Sequence, residues 1–368
     1  IIKCGSPYRG HKELLKSLTQ ARFPEQVVVI STYDSAQGDF YMAKWRQAKP
    51  EQFAMICDEV HNMGAPKSQC LMELNPAYRI GLSATPRRNF DEIGSEKILN
   101  FYHQNTFEFS IKDAQREHYL VEYQYRVLPC AMPEEDWESY KAYSKEIVQL
   151  QHALEQEDDE KDRLRLQQRI EGRYRDRAKL LKKNDQKVQT LQTIFDEILP
   201  SARVLIYGDD LNHLDELGKE LDRMGKYYFK YTGELDAQKE RPTILKEFRQ
   251  GIRKILLAVG CLDEGIDIPA CDVAVFISSS TSERQFIQRR GRVLRIAPGK
   301  MTAWIYDYLV YPILPASTSD EERRMALSMI DAQYRRINLM VDDAINGIRE
   351  HQKLDQFLSQ RKLNPYDF

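Results

Sequence analysis

Phe53-Ala54-Met55-Ile56-Cys57-Asp58-Glu59-Val60-His61 is an apolar pentapeptide that runs straight into two carboxylates. Such a run, bounded by charge, reads as a short buried strand. Adjacent carboxylates at its C-terminal edge sit where open α/β sheets place their ligands. One can hold Mg²⁺ through water, and the other can orient or deprotonate an attacking water. Taken alone, an Asp-Glu pair is more often a solvated strand end, so its meaning depends on the rest of the chain.

Downstream lies Ser83-Ala84-Thr85, and near the far end Gln285-Phe286-Ile287-Gln288-Arg289-Arg290-Gly291-Arg292-Val293-Leu294-Arg295. A charge run is usually a solvated face. This one follows an apolar strand, Val273–Ile277, and a small polar loop, Ser278–Ser282. Arg292 and Arg295 are three apart, so on a helix they would share one face. Permanently charged planar forks on one face suit the developing charge of a triphosphate. Between the two stretches, Leu256–Pro269 reads as a strand followed by a loop with Gly265 and Asp267, which can bring backbone and a carboxylate close to a ligand.

In this order and spacing the stretches resemble the motifs of superfamily 2 helicases and translocases, over roughly residues 27 to 310. Asp58-Glu59-Val60-His61 is similar to motif II (the DExH box), and Ser83-Ala84-Thr85 to motif III. Arg203–Gly208 fits motif IV, Gly265-Ile266-Asp267 motif V, and Gln288, Arg289, Gly291, Arg292 and Arg295 motif VI. Thr32-Tyr33-Asp34-Ser35 looks like motif Ib, and Thr232-Gly233-Glu234 like the second-domain motif that precedes motif V. The set is closest to the xeroderma-pigmentosum group B-like and restriction-type motors.

The resemblance implies two RecA-like α/β domains with parallel sheets, ATP as substrate and Mg²⁺ as cofactor. Asp58 would coordinate Mg²⁺ through water, and Glu59 would orient the water attacking the γ-phosphate. His61 would link the nucleotide site to Gln288. Ser83 and Thr85 would couple hydrolysis to domain movement. Arg292 and Arg295 would act as arginine fingers, completing the site when the domains close. Gly265, Asp267 and Arg289 would serve nucleotide binding. Thr32, Thr232 and Gly233 would touch the nucleic-acid backbone, where contacts position rather than specify; for Thr32 a strand-to-helix cap is an equal and compatible reading. In motif V this chain has Val259-Gly260-Cys261 where the family often has Thr or Ser. The resemblance favours DNA over RNA as the nucleic-acid partner, with partner subunits of a repair or restriction/defence system and a cytoplasmic rather than nuclear setting.

The chain has 368 residues, enough for two cores, with 42% hydrophobic and 30% charged residues. The net charge is −2, so nucleic acid must be met by a local groove or face. Six scattered cysteines without Cys-x-x-Cys, and seven histidines without metal spacing, read as buried thiols and no zinc site. No apolar run approaches membrane-spanning length. A phosphate-cradling Gly-x-x-x-x-Gly-Lys-Ser/Thr loop is missing: Gly-Lys at 218–219, 225–226 and 299–300 is followed by Glu220, Tyr227 and Met301. The expectation is a fragment that begins inside the first motor domain and is inactive alone. A degenerate, non-hydrolysing nucleic-acid scaffold and an RNA helicase are the alternatives.

Along the chain, residues 1–132 read as a truncated first RecA-like domain closed by a strand at 119–128 with Pro129 and Pro133. Residues 133–190 read as a helical hairpin insert, 191–312 as the second RecA-like domain, and 313–368 as an amphipathic helical tail packed back on a motor domain. The hairpin turns from acidic (Glu155–Glu160) to basic (Lys161–Lys183). A solvated, salt-bridged pair of helices is one reading. The other is a basic arm gripping phosphates through Arg169, Arg173 and Arg177, which lie at i, i+4 and i+8.

Overall fold

The apolar runs become strands, and the segments between them turn or coil into helices. A computed structural model describes residues 2–5, 8–9, 28–47, 51, 53–88, 91–236, 239–259, 268, 270–278 and 283–364. The chain divides into two compact units, Ile1–Glu108 and Phe109–Phe368.

In the first unit β1 (Ile2–Gly5), β2 (Tyr8–Arg9) and β3 (Val29–Ser31) pair in the order β2-β1-β3, with β1 and β3 parallel. β4 (Ala54–Cys57) and β5 (Tyr78–Gly81) run parallel, with Cys57 opposite Gly81. Two 3-10 segments, Val60–Gly64 and Ser68–Glu73, lie between β4 and β5, and the helix Glu92–Phe101 packs on the first of them. Asp91 starts that helix, its carboxylate accepting the Gly94 N–H at 2.8 Å, an N-cap that satisfies a donor left over at the first turn. Among the described residues its core gathers Met42, Cys57, Val60, Met63, Leu71, Leu74, Ile98 and Phe101.

The second unit is built on β6 (Glu122–Met132), β7 (Val204–Tyr207), β8 (Phe229–Tyr231), β9 (Ile255–Ala258), β10 (Val273–Val275) and β11 (Thr302–Pro312). They form a six-stranded sheet in the order β6-β11-β10-β7-β9-β8, every neighbouring pair parallel. All residues of β7, β9 and β10 are buried, as a parallel sheet covered on both faces requires. Alternate side chains enter two separate clusters. Leu205, Tyr207, Leu256 and Ala274 join one, and Val204, Ile206, Leu257 and Val275 join the other. The second cluster is closed by the helix Leu211–Arg223 through Leu214, Leu217 and Leu221, a helical spacing that gives one apolar stripe.

The strand expected to close the first unit does not belong there. β6 pairs with β11 along eleven residues, from Glu122 opposite Thr302 to Met132 opposite Pro312, at the edge of the second sheet. The unit boundary falls at Glu108/Phe109, not at residue 132. Pro129 stays inside the strand because an edge position tolerates a residue with no N–H to donate. Tyr125 and Val127, which share its parity, donate their N–H groups outward to Asn346 Oδ1 at 2.9 Å and Glu350 Oε2 at 3.5 Å. The tail thus caps an otherwise open sheet edge.

The hairpin insert is a helix Glu134–Gln156 laid against a helix Glu160–Lys182. Lys182 and Lys183 tie its base to Asp209 at 2.8 Å and Asp210 at 2.6 Å, just after β7. The tail forms helices Asp320–Val341 and Gly347–Ser359, and Met329, Ile330, Ile337, Met340 and Leu354 join the first cluster of the second unit. Ile345, in the turn between these two helices, is 53% exposed. No helix among the described residues is long and apolar enough to cross a membrane.

Candidate active site

Motifs II and III meet at the end of β4. Leu82 donates its N–H to the Cys57 carbonyl at 2.8 Å, and Val60 donates to the Leu82 carbonyl at 2.9 Å. Between them Glu59 adopts φ 47°, ψ 52°, a left-handed conformation that crowds the Cβ of a non-glycine residue and costs about 1–2 kcal/mol. Two further bonds hold this turn. Asp58 Oδ1 accepts the Glu59 N–H at 3.0 Å, and the Tyr33 hydroxyl donates to the Asp58 carbonyl at 2.8 Å. Burial pushes the Tyr33 phenol upward, with Cys57 beneath it adding to the shift, so it remains a donor.

The turn aims Glu59 at His61. His61 is 4% exposed, and its Nδ1 lies 3.3 Å from Glu59 Oε2 and 3.1 Å from Ser83 Oγ. Ser83 Oγ in turn accepts the Thr85 N–H at 3.2 Å. One ring nitrogen therefore touches both the motif II acid and the motif III serine. Arg88 fixes the backbone beneath, donating to the His61 carbonyl at 2.7 Å and to Asp91 Oδ2 at 2.6 Å. Asp58 is exposed and Glu59 half-buried. Hard carboxylate oxygens of this kind suit Mg²⁺, which takes one or two protein carboxylates and completes its shell with waters and phosphate oxygens. The residues present fit that ion.

Thr32, exposed at the end of β3, caps the short helix Tyr33–Ala36: its Oγ1 accepts the Ser35 N–H at 3.3 Å. Sequence reading missed the neighbouring Tyr33, whose role rests on a contact 25 positions away in the chain.

In the second unit the helix Glu283–Val293 carries Gln288, Arg289, Arg290 and Arg292. Gln288 and Arg292 are half-buried. Arg289 is 5% exposed, donates to the Ser278 carbonyl at 3.3 Å, and lies 4.8 Å over the Tyr207 ring of motif IV. Arg290 escaped the motif reading, yet it binds the helix to the tail. It is 5% exposed and donates to the Leu339 carbonyl at 2.7 Å, Asp343 Oδ2 at 3.0 Å and the Tyr123 hydroxyl at 3.2 Å.

Arg295 does not share a helix face with Arg292. The helix stops at Val293, and Arg295 is exposed in an isolated bridge to Leu120. Continuation would need the N–H groups of residues 297–299, and Pro298 has none. The carbonyls they would reach are also occupied: buried Lys300 donates to those of Val293 and Arg295, and the Val121 N–H takes that of Leu294 at 2.8 Å.

Thr232 is buried, and the Gly233 carbonyl accepts from Arg241 Nη2 at 2.6 Å. Gly265 and Asp267 lie outside the described residues. Two of the hairpin arginines, Arg173 and Arg177, are half-buried against the partner helix, and Arg169 is exposed. Arg169 and Arg173 reach Glu146 at 3.5 and 2.7 Å, and Arg177 stacks 5.3 Å over Tyr140 and donates to Ser144 at 3.2 Å.

Comparison with known proteins follows the same division. Residues 4–88 match the family model of the type III restriction enzyme res subunit, and residues 186–297 match the helicase conserved C-terminal domain. These matches support a superfamily 2 helicase-family member. Among its relatives, the DNA 3'-5' translocase XPB2 of Sulfurisphaera tokodaii is 23% identical over 282 residues, 73% of this chain and 60% of the translocase. A Dicer-like protein 2-1 of Aspergillus niger is 47% identical over 58 residues, 16% of this chain and 4% of that protein. The chain thus spans 60% of the first relative and a far smaller share of the second. Among solved structures, the ATP-dependent type ISP restriction-modification enzyme LlaBIII bound to DNA aligns with a TM-score of 0.53 and 16% identity, covering 90% of this chain and 23% of that enzyme. That likeness concerns the fold.

Proposed function

We propose that the protein works as an ATP-driven motor on nucleic acid, with DNA as its track. What carries this reading is the His61 Nδ1 that touches Glu59 Oε2 and Ser83 Oγ together. A solvated strand end has no need of a strained glutamate aimed at a buried imidazole; a water-orienting acid coupled to a second motif does. Asp58 would hold Mg²⁺, which when bound would neutralise phosphate charge. Glu59 would orient the attacking water, and His61 and Ser83 would transmit its state. Arg292 and Arg295 would reach the phosphates from separate backbone segments, one on the helix and one beyond it. DNA is favoured because XPB2 is a DNA translocase and LlaBIII is bound to DNA.

These 368 residues hold no Gly-Lys-Ser/Thr phosphate loop, so the chain by itself should release phosphate from ATP negligibly, with or without DNA. In a form that carries such a loop, Glu59→Gln should abolish DNA-stimulated phosphate release while nucleotide binding survives. Arg292→Ala should lower the rate on the order of 10³-fold. Near-wild-type turnover in both variants would overturn the site assignment.

A further inference from the structure

The hairpin's basic helix has two charged sides with different occupants. Residues 161–183 hold ten Lys and Arg against three carboxylates. On the inner side Arg173 and Arg177 are engaged by Glu146, Tyr140 and Ser144 of the partner helix, and Arg169, itself exposed, reaches Glu146 at 3.5 Å. At 100° per residue, Lys161, Arg165, Gln168, Gly172, Arg175 and Lys179 fall within about 40° of one line on another face. All four cations there are exposed. Arg165 meets Asp162 at 2.7 Å in an open pair, which water and salt weaken, and the Arg175 Nε donates to the Glu171 carbonyl at 3.3 Å. None of the six positions on this line is a carboxylate.

The middle of the line is bare. Gly172 sits deep in a 23-residue helix, and a Cβ added there would meet nothing within 4 Å. Glycine is the poorest helix former after proline, and no neighbour in the chain demands it here. From the helical rise, the Lys161/Arg165 pair and the Arg175/Lys179 pair are centred about 21 Å apart, with the low Gly172 between them. We propose that this outer face binds the phosphate backbone of duplex DNA, each cation pair meeting one side of a major groove and Gly172 letting the helix come close. The groove is about 12 Å wide, with its flanking phosphates beyond that on either side. No aromatic lies on the line, so the face offers no stacking platform for a single strand. The proposal rests on the nucleic-acid motor reading and adds where and how the duplex is held.

The test is fluorescence anisotropy of the full chain with a duplex DNA, a single strand of equal length and an RNA duplex across a salt series. Replacing Lys161, Arg165, Arg175 and Lys179 with Gln should flatten the slope of log K against log[salt] by about 3–4 units. From 50 to 200 mM salt the wild-type chain should then lose on the order of 10²-fold more affinity than the variant. Gly172→Glu, which improves helix propensity, should weaken duplex binding about tenfold or more and leave single-strand binding unchanged. Should the fourfold variant fail to fold by circular dichroism, Gly172→Glu decides alone. An unchanged salt slope, unchanged duplex affinity in Gly172→Glu, or a preference for RNA duplex would overturn the assignment. No duplex binding by the wild-type chain would overturn the motor reading together with this assignment.

Discussion

Ala54-Met55-Ile56-Cys57 and Val204-Leu205-Ile206-Tyr207 are both short apolar strands in parallel pairings, yet they meet different surroundings. Every residue of the second is buried, its alternate side chains feeding one cluster on each face of the sheet. In the first only Cys57 is buried; Ile56 is 68% exposed, and Ile80 and Leu82 beside it are 51% and 52% exposed. An apolar run thus signals a strand without saying how many of its faces are packed. The difference also bears on the site. Where β4 ends, the acid pair is held by individual hydrogen bonds, with Tyr33 and Leu82 donating to backbone carbonyls and the Glu59 N–H donating to Asp58. Single bonds of this kind are worth about 1 kcal/mol each, which leaves the turn easier to shift than the sheet of the second unit.

The comparison breaks most visibly in the cores. Leu257→Ala removes a fully buried side chain from the second unit and should cost about 3–4 kcal/mol in urea unfolding followed by a probe in that unit. Ile56→Ala should stay within about 0.5 kcal/mol, because its side chain gains little on folding. Equal losses would show that β4 is packed on both faces after all.

Acid should separate the units next. Burial lowers His213 from 6.5 to about 4, with Lys187 adding to the shift, and its neutral Nδ1 accepts the Asp209 N–H at 3.2 Å. The folded state therefore resists protonation that the unfolded chain accepts. Its stabilisation is complete above pH 6.5 and is lost as pH falls toward 4, at most about 3 kcal/mol for the second unit. Unfolding of the wild type and His213→Gln at pH 7 and pH 4.5 should show the gap between them closing in acid. A constant gap would mean that His213 is protonated within the fold.

The smallest effect sharpens the contrast at the site. Glu59→Gly places a residue free of Cβ crowding at φ 47° and should raise the stability of the first unit by up to about 1 kcal/mol while removing the water-orienting acid. A loss of stability in thermal unfolding would show that the contact of Glu59 with His61 outweighs the backbone strain.

The apolar runs, the carboxylates after β4 and the order of the motifs lie within short windows of sequence, so fold class, superfamily and the Asp58-Glu59-His61-Ser83 group were legible before any coordinates. Local periodicity and residue chemistry are carried by neighbours in the chain, and a reader of the chain meets them directly. Three features needed the tertiary structure. β6 joined the second unit because its partner β11 lies 180 residues away, and edge position excused Pro129. Arg295 left the helix because a β-bridge and Lys300 claimed the carbonyls of the next turn. The basic helix turned Arg173 and Arg177 inward because Glu146, Tyr140 and Ser144 stand on a different helix. In each case a backbone group or a charge had several acceptable partners, and spacing along the chain names the candidates without saying which one folding brings within reach.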